Sequence, residues 1–166
     1  MRNMAALAVA LALSGCGLKP LYAGGASSPV AQGLASVEVA PIEGKAGWLV
    51  RNALIDRLGV AGQASPRYRL DVRLDDRLEG LGLLSNDTIS RERRTLRARY
   101  QLVEAGSGAI VLDATAGSDA GIDVVSSEYA TIAAEQTALE NLSREVADRI
   151  VTKLAQEFRT EASATR

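Results

Sequence analysis

The chain has 166 residues, of which 47% are hydrophobic, and its 19 basic and 20 acidic residues leave a net charge of −1. This size and composition predict one soluble domain that can sustain its own core. With no histidine and one cysteine, the chain cannot form a histidine-based triad, a histidine or thiolate zinc site, or an internal disulfide. We predict no catalytic residue, no metal site and no cofactor, and no nucleic-acid partner.

The N-terminus has the organisation of a secretory signal peptide over residues 1–15. One arginine at position 2 precedes ten apolar residues, 4–13, a run that is too short to span a bilayer. Leu13-Ser14-Gly15-Cys16 resembles the bacterial lipobox, which implies a diacylglycerol and an N-acyl chain on Cys16. Several acyl chains would anchor the protein stably in a membrane. The alternative is a plain signal peptide with an incidental cysteine.

A linker and two short elements follow. Residues 16–35 are rich in Gly, Ala, Ser and Pro, which predicts a flexible linker with little structure behind the lipidated cysteine. Residues 37–39 predict a short strand that stops before a proline. Residues 47–58 predict a helix that ends near Gly59.

Three segments then alternate between apolar and polar residues, as half-buried strands do. They are residues 66–78, 91–103 and 109–116. The side chains expected to face a core are Tyr68, Leu70, Val72, Leu74, Leu78, Leu96, Ala98, Tyr100, Leu102, Ile110, Leu112, Ala114 and Ala116.

The last predicted element is a long helix over residues 127–158. Its expected core-facing stripe recurs at three- and four-residue steps and includes Tyr129, Ile132, Leu139, Val146 and Phe158. The order β-α-β-β-β-α predicts an α+β fold, in which a four-stranded mixed sheet carries two helices on one face. We assign residues 36–160 to this domain and residues 161–166 to a C-terminal tail.

Arginine dominates the polar side of the first two alternating strands. Pairing of residues 67–77 with 91–101 would place eight arginines on one face, offset only by Asp71 and Asp75. One interpretation is a solvated face with cross-strand ion pairs, each of which contributes little. The other is an anion-binding surface, because the guanidinium fork suits phosphate. The candidate anion-binding residues are Arg67, Arg69, Arg73, Arg91, Arg93, Arg97 and Arg99.

The loop between these two strands, residues 79–90, contains three leucines close together, Leu81, Leu83 and Leu84. They either fold back onto the core or meet an apolar partner such as an acyl chain. The sequence alone leaves these two alternatives open.

The set of features resembles the LptE family of lipopolysaccharide-assembly lipoproteins, in its alphaproteobacterial form. The matching stretches are Gly15-Cys16-Gly17-Leu18-Lys19-Pro20-Leu21-Tyr22, Arg51-Asn52-Ala53-Leu54 with Asp56-Arg57-Leu58, and Ser127-Glu128-Tyr129-Ala130 with Ala134-Glu135-Gln136 and Ala138-Leu139. The resemblance implies a non-enzymatic plug inside the β-barrel LptD, which binds lipopolysaccharide and helps to insert it into the outer leaflet. It also implies a lipid-anchored location at the Gram-negative outer membrane, with the domain within or beneath the barrel on the periplasmic side. The alternative is a generic periplasm-facing lipoprotein that acts as a scaffold or surface protein.

Overall fold

The computed structural model describes residues 28–59, 66–83 and 89–164. The predictions for Cys16 and Leu84 lie outside these residues, as does the one for the side chain of Leu83. In chain order the described elements are α1 (Pro29–Ala35), β1 (Val37–Val39), α2 (Gly44–Leu58), β2 (Tyr68–Leu83), β3 (Ile89–Glu104), β4 (Ile110–Asp123) and α3 (Glu128–Ala164).

The four strands form one mixed sheet in the order β1-β2-β3-β4. β1 runs parallel to β2, while β2 and β3 are antiparallel, as are β3 and β4. This confirms the predicted α+β architecture and the predicted order of strands and of the two long helices. The strands are longer than expected, because ladder pairing continues beyond the alternating segments, as far as the pair Leu83–Ile89.

The core lies between one face of the sheet and the long helices α2 and α3. The expected core-facing side chains Tyr100, Leu70 and Leu102 are at most 1% exposed. From the helices, Leu54 and Ile150 pack against them in the same cluster and are fully buried. We name this side of the sheet the covered face.

The core-facing prediction is wrong for Leu78 and Ile110, which are 43% and 57% exposed. Ile110 is the first residue of β4, and Leu78 lies opposite the polar residue Arg94 of β3.

The helix α1 departs from the expected unstructured linker. Ser28 caps it by accepting a hydrogen bond from the backbone N–H of Ala31 (3.2 Å), and a proline follows at the first position. Leu34 is buried, and Gly33 packs so closely that a Cβ there would lie 2.8 Å from Cγ of Phe158. The folded part therefore includes residues before 36, and the described residues form three helices instead of two.

The start of α3 also departs from the predicted stripe. Tyr129 and Ile132 are 84% and 44% exposed, whereas Thr131 and Ala138 are buried. The helix is 37 residues long, about 55 Å, and its first turns approach a part of the sheet with polar side chains. The predicted face is therefore wrong for these turns, although it is right from Leu139 onward.

The polar part of the covered face centres on Arg94. Its Nη2 binds Oδ2 of Asp76 at 2.7 Å, and its Nη1 donates to the backbone oxygen of Glu135 in α3 at 3.3 Å. Nearby in β3, Oε2 of Glu92 is buried without a hydrogen-bond partner among the described residues. The first turns of α3 are thus held partly by polar contacts rather than by apolar packing.

In the described ranges, none of the helices combines the length and the apolar character needed to cross a bilayer.

Candidate functional site

The side of the sheet that faces away from the helices carries the odd-numbered side chains of β2, β3 and β4, and we name it the open face. The register places Arg73 opposite Arg99 and Asp75 opposite Arg97. Across the other ladder, Arg97 lies opposite Gly117 and Arg99 opposite Thr115. The two arginine-rich strands are therefore adjacent, as expected, and arginines of both meet in the middle of the sheet.

Four ion pairs neutralise part of the open face. Their closest N–O distances are 2.8–3.0 Å, and they join Arg69 to Asp71, Arg77 to Asp75, Arg91 to Asp123 and Arg99 to Asp113. The expectation that only Asp71 and Asp75 offset the arginines is therefore wrong. The odd positions of β4 supply the additional carboxylates. Asp113 lies within the predicted segment 109–116, and Asp123 lies in the part of β4 that extends beyond it.

Asp113 illustrates how this neutralisation works. Hydrogen bonds from Arg99 and, secondarily, from Gln101 hold the pKa of the Asp113 carboxyl below its usual range. The same contact with Asp113 raises the pKa of Arg99. The pair is solvent-exposed, so it contributes little to folding stability, but it lowers the charge that Arg99 offers to a ligand.

Three open-face arginines keep their charge uncompensated. Arg73, Arg93 and Arg97 form no ion pair with any carboxylate among the described residues. All three side chains are exposed. They are the members of the predicted set that are best able to bind an anion from solution.

Arg67 lies apart from this group. It precedes β2, and its guanidinium reaches Glu161 near the end of α3 at 3.5 Å and Glu104 at 3.8 Å. It also lies 5.0 Å above the ring of Tyr68. The structure therefore separates Arg67 from the other candidate arginines and gives it carboxylate partners of its own.

A shallow depression of about 870 Å³ lies at the centre of the open face and reaches the β4 edge. Cations from two sides line it: Arg73, Arg97 and Arg99 from the strands, and Arg149 and Lys153 from α3. Asp75 is the one carboxylate in its lining. Such a concentration of positive charge attracts phosphate and other anions.

Sequence reasoning missed Arg149 and Lys153. Their spacing of four residues places them on one side of α3, but the same spacing occurs on many solvated helices. The spacing indicates a site only once the structure shows that this side of α3 lies along the edge strand β4. There, Nη1 of Arg149 donates to the backbone oxygen of Gly117.

Of the three leucines predicted to lie close together, the structure describes the side chain of Leu81 but not those of Leu83 and Leu84. Leu81 is half-buried and pairs with Arg91, so its odd position belongs to the open face and not to the covered face. It therefore lies at the same end of the sheet as Arg91 and Arg93. Contact of Leu81, Leu83 and Leu84 with an acyl chain stays a prediction.

Within the described part of the chain, no group of three or more cysteine, histidine or acidic residues is arranged to hold a metal ion.

The sequence profile of the LptE family, described as lipopolysaccharide-assembly, matches residues 34–154 of this chain. A search of curated proteins with this chain finds no match. The family match covers α2, all four strands and most of α3, and therefore includes the open face and the depression.

Solved structures of lipoproteins share the fold. A predicted lipoprotein of Caulobacter crescentus CB15 has 26% sequence identity and a TM-score of 0.66, with coverage of 78% of this chain and 96% of that one. The rare lipoprotein B of Shewanella oneidensis has 14% identity and a TM-score of 0.58, with coverage of 78% and 98%. An uncharacterized lipoprotein B of Nitrosomonas europaea has 13% identity and a TM-score of 0.55, with coverage of 73% and 86%.

Proposed function

The chain belongs to the LptE family of lipopolysaccharide-assembly lipoproteins of the Gram-negative outer membrane, and we propose that it binds lipopolysaccharide directly on its open face. We further propose that it plugs an LptD-type β-barrel and so helps lipopolysaccharide to enter the outer leaflet. Lipidation of Cys16 would hold the domain at the membrane, because several acyl chains together give stable anchoring.

The uncompensated arginines Arg73, Arg93 and Arg97 are the observation that carries the lipopolysaccharide contact. The lipid A part of lipopolysaccharide carries phosphates, which a guanidinium can bind through two parallel hydrogen bonds. Four other open-face arginines already have carboxylate partners. A phosphate that approaches the centre of this face therefore meets Arg73 and Arg97, and one that approaches the end of the sheet near Leu81 meets Arg93. None of these three arginines has a carboxylate partner among the described residues.

The distribution of polarity supports the barrel partner. Most apolar side chains of the sheet are buried under α2 and α3, while the open face carries mainly charged and polar side chains. A barrel lumen is polar and lined by alternate side chains, so a domain with a charged outer sheet face suits that environment. This surface could remain in contact with water and lipid phosphate inside the lumen.

A binding titration of lipopolysaccharide tests the site. Arg93→Glu combined with Arg97→Glu should weaken binding at least tenfold, because each lost charge-assisted hydrogen bond contributes about 1.5–3 kcal/mol. The control is Arg144→Glu with Arg159→Glu, which makes the same change in net charge at exposed positions of α3. Equal affinities of the two double variants would remove the open face as the binding site.

Purification of the lipidated protein from detergent-solubilised envelopes tests the partner. We expect one large outer-membrane barrel protein to co-purify in stoichiometric amount. Its absence would contradict the plug and would favour the alternative, a lipoprotein that acts as a generic scaffold.

A further inference from the structure

Two arginines from opposite faces of the sheet meet at Gly117 in β4. Arg97 crosses this glycine on the open face, since a Cβ added to Gly117 would lie 2.6 Å from Nη1 of Arg97 and closer still to its Cδ. Arg149 approaches from α3, and its Nη1 donates to the backbone oxygen of Gly117 at 2.5 Å. Both guanidinium groups are thus within contact distance of one small residue.

The position of Gly117 explains how Arg97 and Arg149 can both approach it. β4 is an edge strand of the sheet, so one side of its backbone is accessible to Arg149, which donates to the carbonyl oxygen of Gly117. Lys153 lies one helical turn beyond Arg149 and lines the same depression. At Gly117, cations from the open face and cations from α3 therefore line the same depression at the β4 edge.

Arg97, Arg149 and Lys153 form no ion pair with a carboxylate among the described residues. Glu145, the acidic residue one turn before Arg149, instead accepts a hydrogen bond from Ser118. Arg149 donates one hydrogen bond from Nη1 to the carbonyl oxygen of Gly117 and a longer, weaker one of 3.5 Å from Nη2 to Oγ of Ser118. A guanidinium has five N–H donors, so most donors of Arg149 and all those of Arg97 are available to a ligand.

We propose that Arg97 and Arg149 form a phosphate clamp at Gly117, in which one phosphate group is bound from both sides of the edge strand. Lys153 adds a third positive charge beside it. Neighbouring like charges repel, and a dianionic phosphate would remove that repulsion while it accepts hydrogen bonds from both guanidinium groups. The inference rests on the proposed lipopolysaccharide contact and assigns it a specific subsite. The ligand chemistry is a dianionic phosphate group, either as a phosphomonoester in a lipid headgroup or as inorganic phosphate in solution.

Gly117 offers a test with a matched control. Alanine at 117 would collide with Arg97 and push its side chain away from the edge, whereas alanine at Gly121 meets nothing within 4 Å. Both glycines lie at odd positions of β4, so both substitutions make the same chemical change on the open face. Gly117→Ala should weaken phosphate binding at least fivefold, and Gly121→Ala should leave it within twofold.

The experiment measures binding of the full-length protein to phosphatidylcholine vesicles with and without phosphatidic acid, to lipopolysaccharide, and to inorganic phosphate. Arg149→Gln should reproduce the loss seen for Gly117→Ala, while Arg144→Gln on the same helix should not. A thermal melt confirms that each variant is folded. If Gly117→Ala is unstable, Arg149→Gln against Arg144→Gln decides the question alone.

The outcomes separate the clamp from the proposed function. If Gly117→Ala and Arg149→Gln both bind every phosphate probe as their controls do, the clamp is wrong, even when Arg93→Glu with Arg97→Glu abolishes lipopolysaccharide binding. If the wild type does not bind lipopolysaccharide but binds phosphatidic acid, and Gly117→Ala weakens that binding, the clamp is supported and the proposed lipopolysaccharide contact is wrong. Tight vesicle binding with weak, millimolar binding of inorganic phosphate assigns the lipid headgroup, whereas equal affinity assigns free phosphate.

Discussion

The same three strands carry two faces that differ in almost every property. On the covered face, Leu70, Leu96 and Leu102 are fully buried, and the Arg94–Asp76 ion pair retains only 16% and 24% side-chain exposure. On the open face, the side chains of the ion pairs are 37–73% exposed. Alternation along a strand thus assigns one set of side chains to stability and leaves the other free to bind, so mutations on the two faces should differ in kind.

The largest difference should appear in folding stability. Leu102→Ala removes a fully buried side chain from the core and should lower the free energy of unfolding by about 3 kcal/mol. Thr115→Ala on the exposed side of β4 should change it by less than about 0.5 kcal/mol. Urea denaturation followed by circular dichroism measures both, and equal losses would mean that the two faces are not distinct in the way described.

Charged pairs should show a smaller difference of the same sign. Asp76→Ala leaves Arg94 partly buried without its carboxylate and should cost about 2 kcal/mol. Asp71→Ala removes an exposed pair and should cost less than about 1 kcal/mol. Denaturation midpoints of the two variants give the comparison. A cost for Asp71→Ala that matches or exceeds that for Asp76→Ala would contradict the assignment of the polar cluster to the covered face.

The smallest effect concerns protonation on the open face. Arg99→Gln removes the main cause of the lowered pKa of Asp113, so that pKa should rise toward its usual value in an NMR titration of the carboxyl carbon. A carboxyl whose pKa is lower in the folded state than in the unfolded state stabilises the folded protein when the pH is above the unfolded-state pKa. This stabilisation is lost as the pH falls through the folded-state pKa. Acidification should therefore reduce the stability of Arg99→Gln less than that of the wild type. An unchanged Asp113 titration would show that Arg99 is not its partner in solution.

Much of this arrangement follows from local sequence patterns. The alternation of Tyr68 to Leu78 and of Leu96 to Leu102 predicts strands with one apolar face, and the loop between them predicts antiparallel pairing. The four-stranded α+β fold and its order are therefore predictable. The same parity correctly places Arg73, Arg93 and Arg97 on one face of the sheet, because successive side chains of a strand point to opposite faces.

The missed features depend on tertiary contacts or on weak local signals. Residues 29–35 are too few for a helical pattern to stand out, with only the buried pair Val30 and Leu34 at a spacing of four. The Ser28 cap and the packing of Phe158 on Gly33 support α1. Tyr129 and Ile132 have suitable helical spacing, but their side chains are exposed. The first turns of α3 instead contact the sheet through Arg94, which donates to the backbone oxygen of Glu135. The roles of Arg149 and Lys153 require the register of α3 against the edge strand, which no local pattern specifies.

Site-specific photocrosslinking in living cells tests most directly whether the open face is the lipopolysaccharide-binding face. A photoreactive amino acid at Thr115, which lines the depression on the open face, is compared with one at Gln136, which is exposed on α3. We predict that lipopolysaccharide crosslinks to position 115 and not to position 136. Crosslinking at position 136 with none at position 115 would contradict the account.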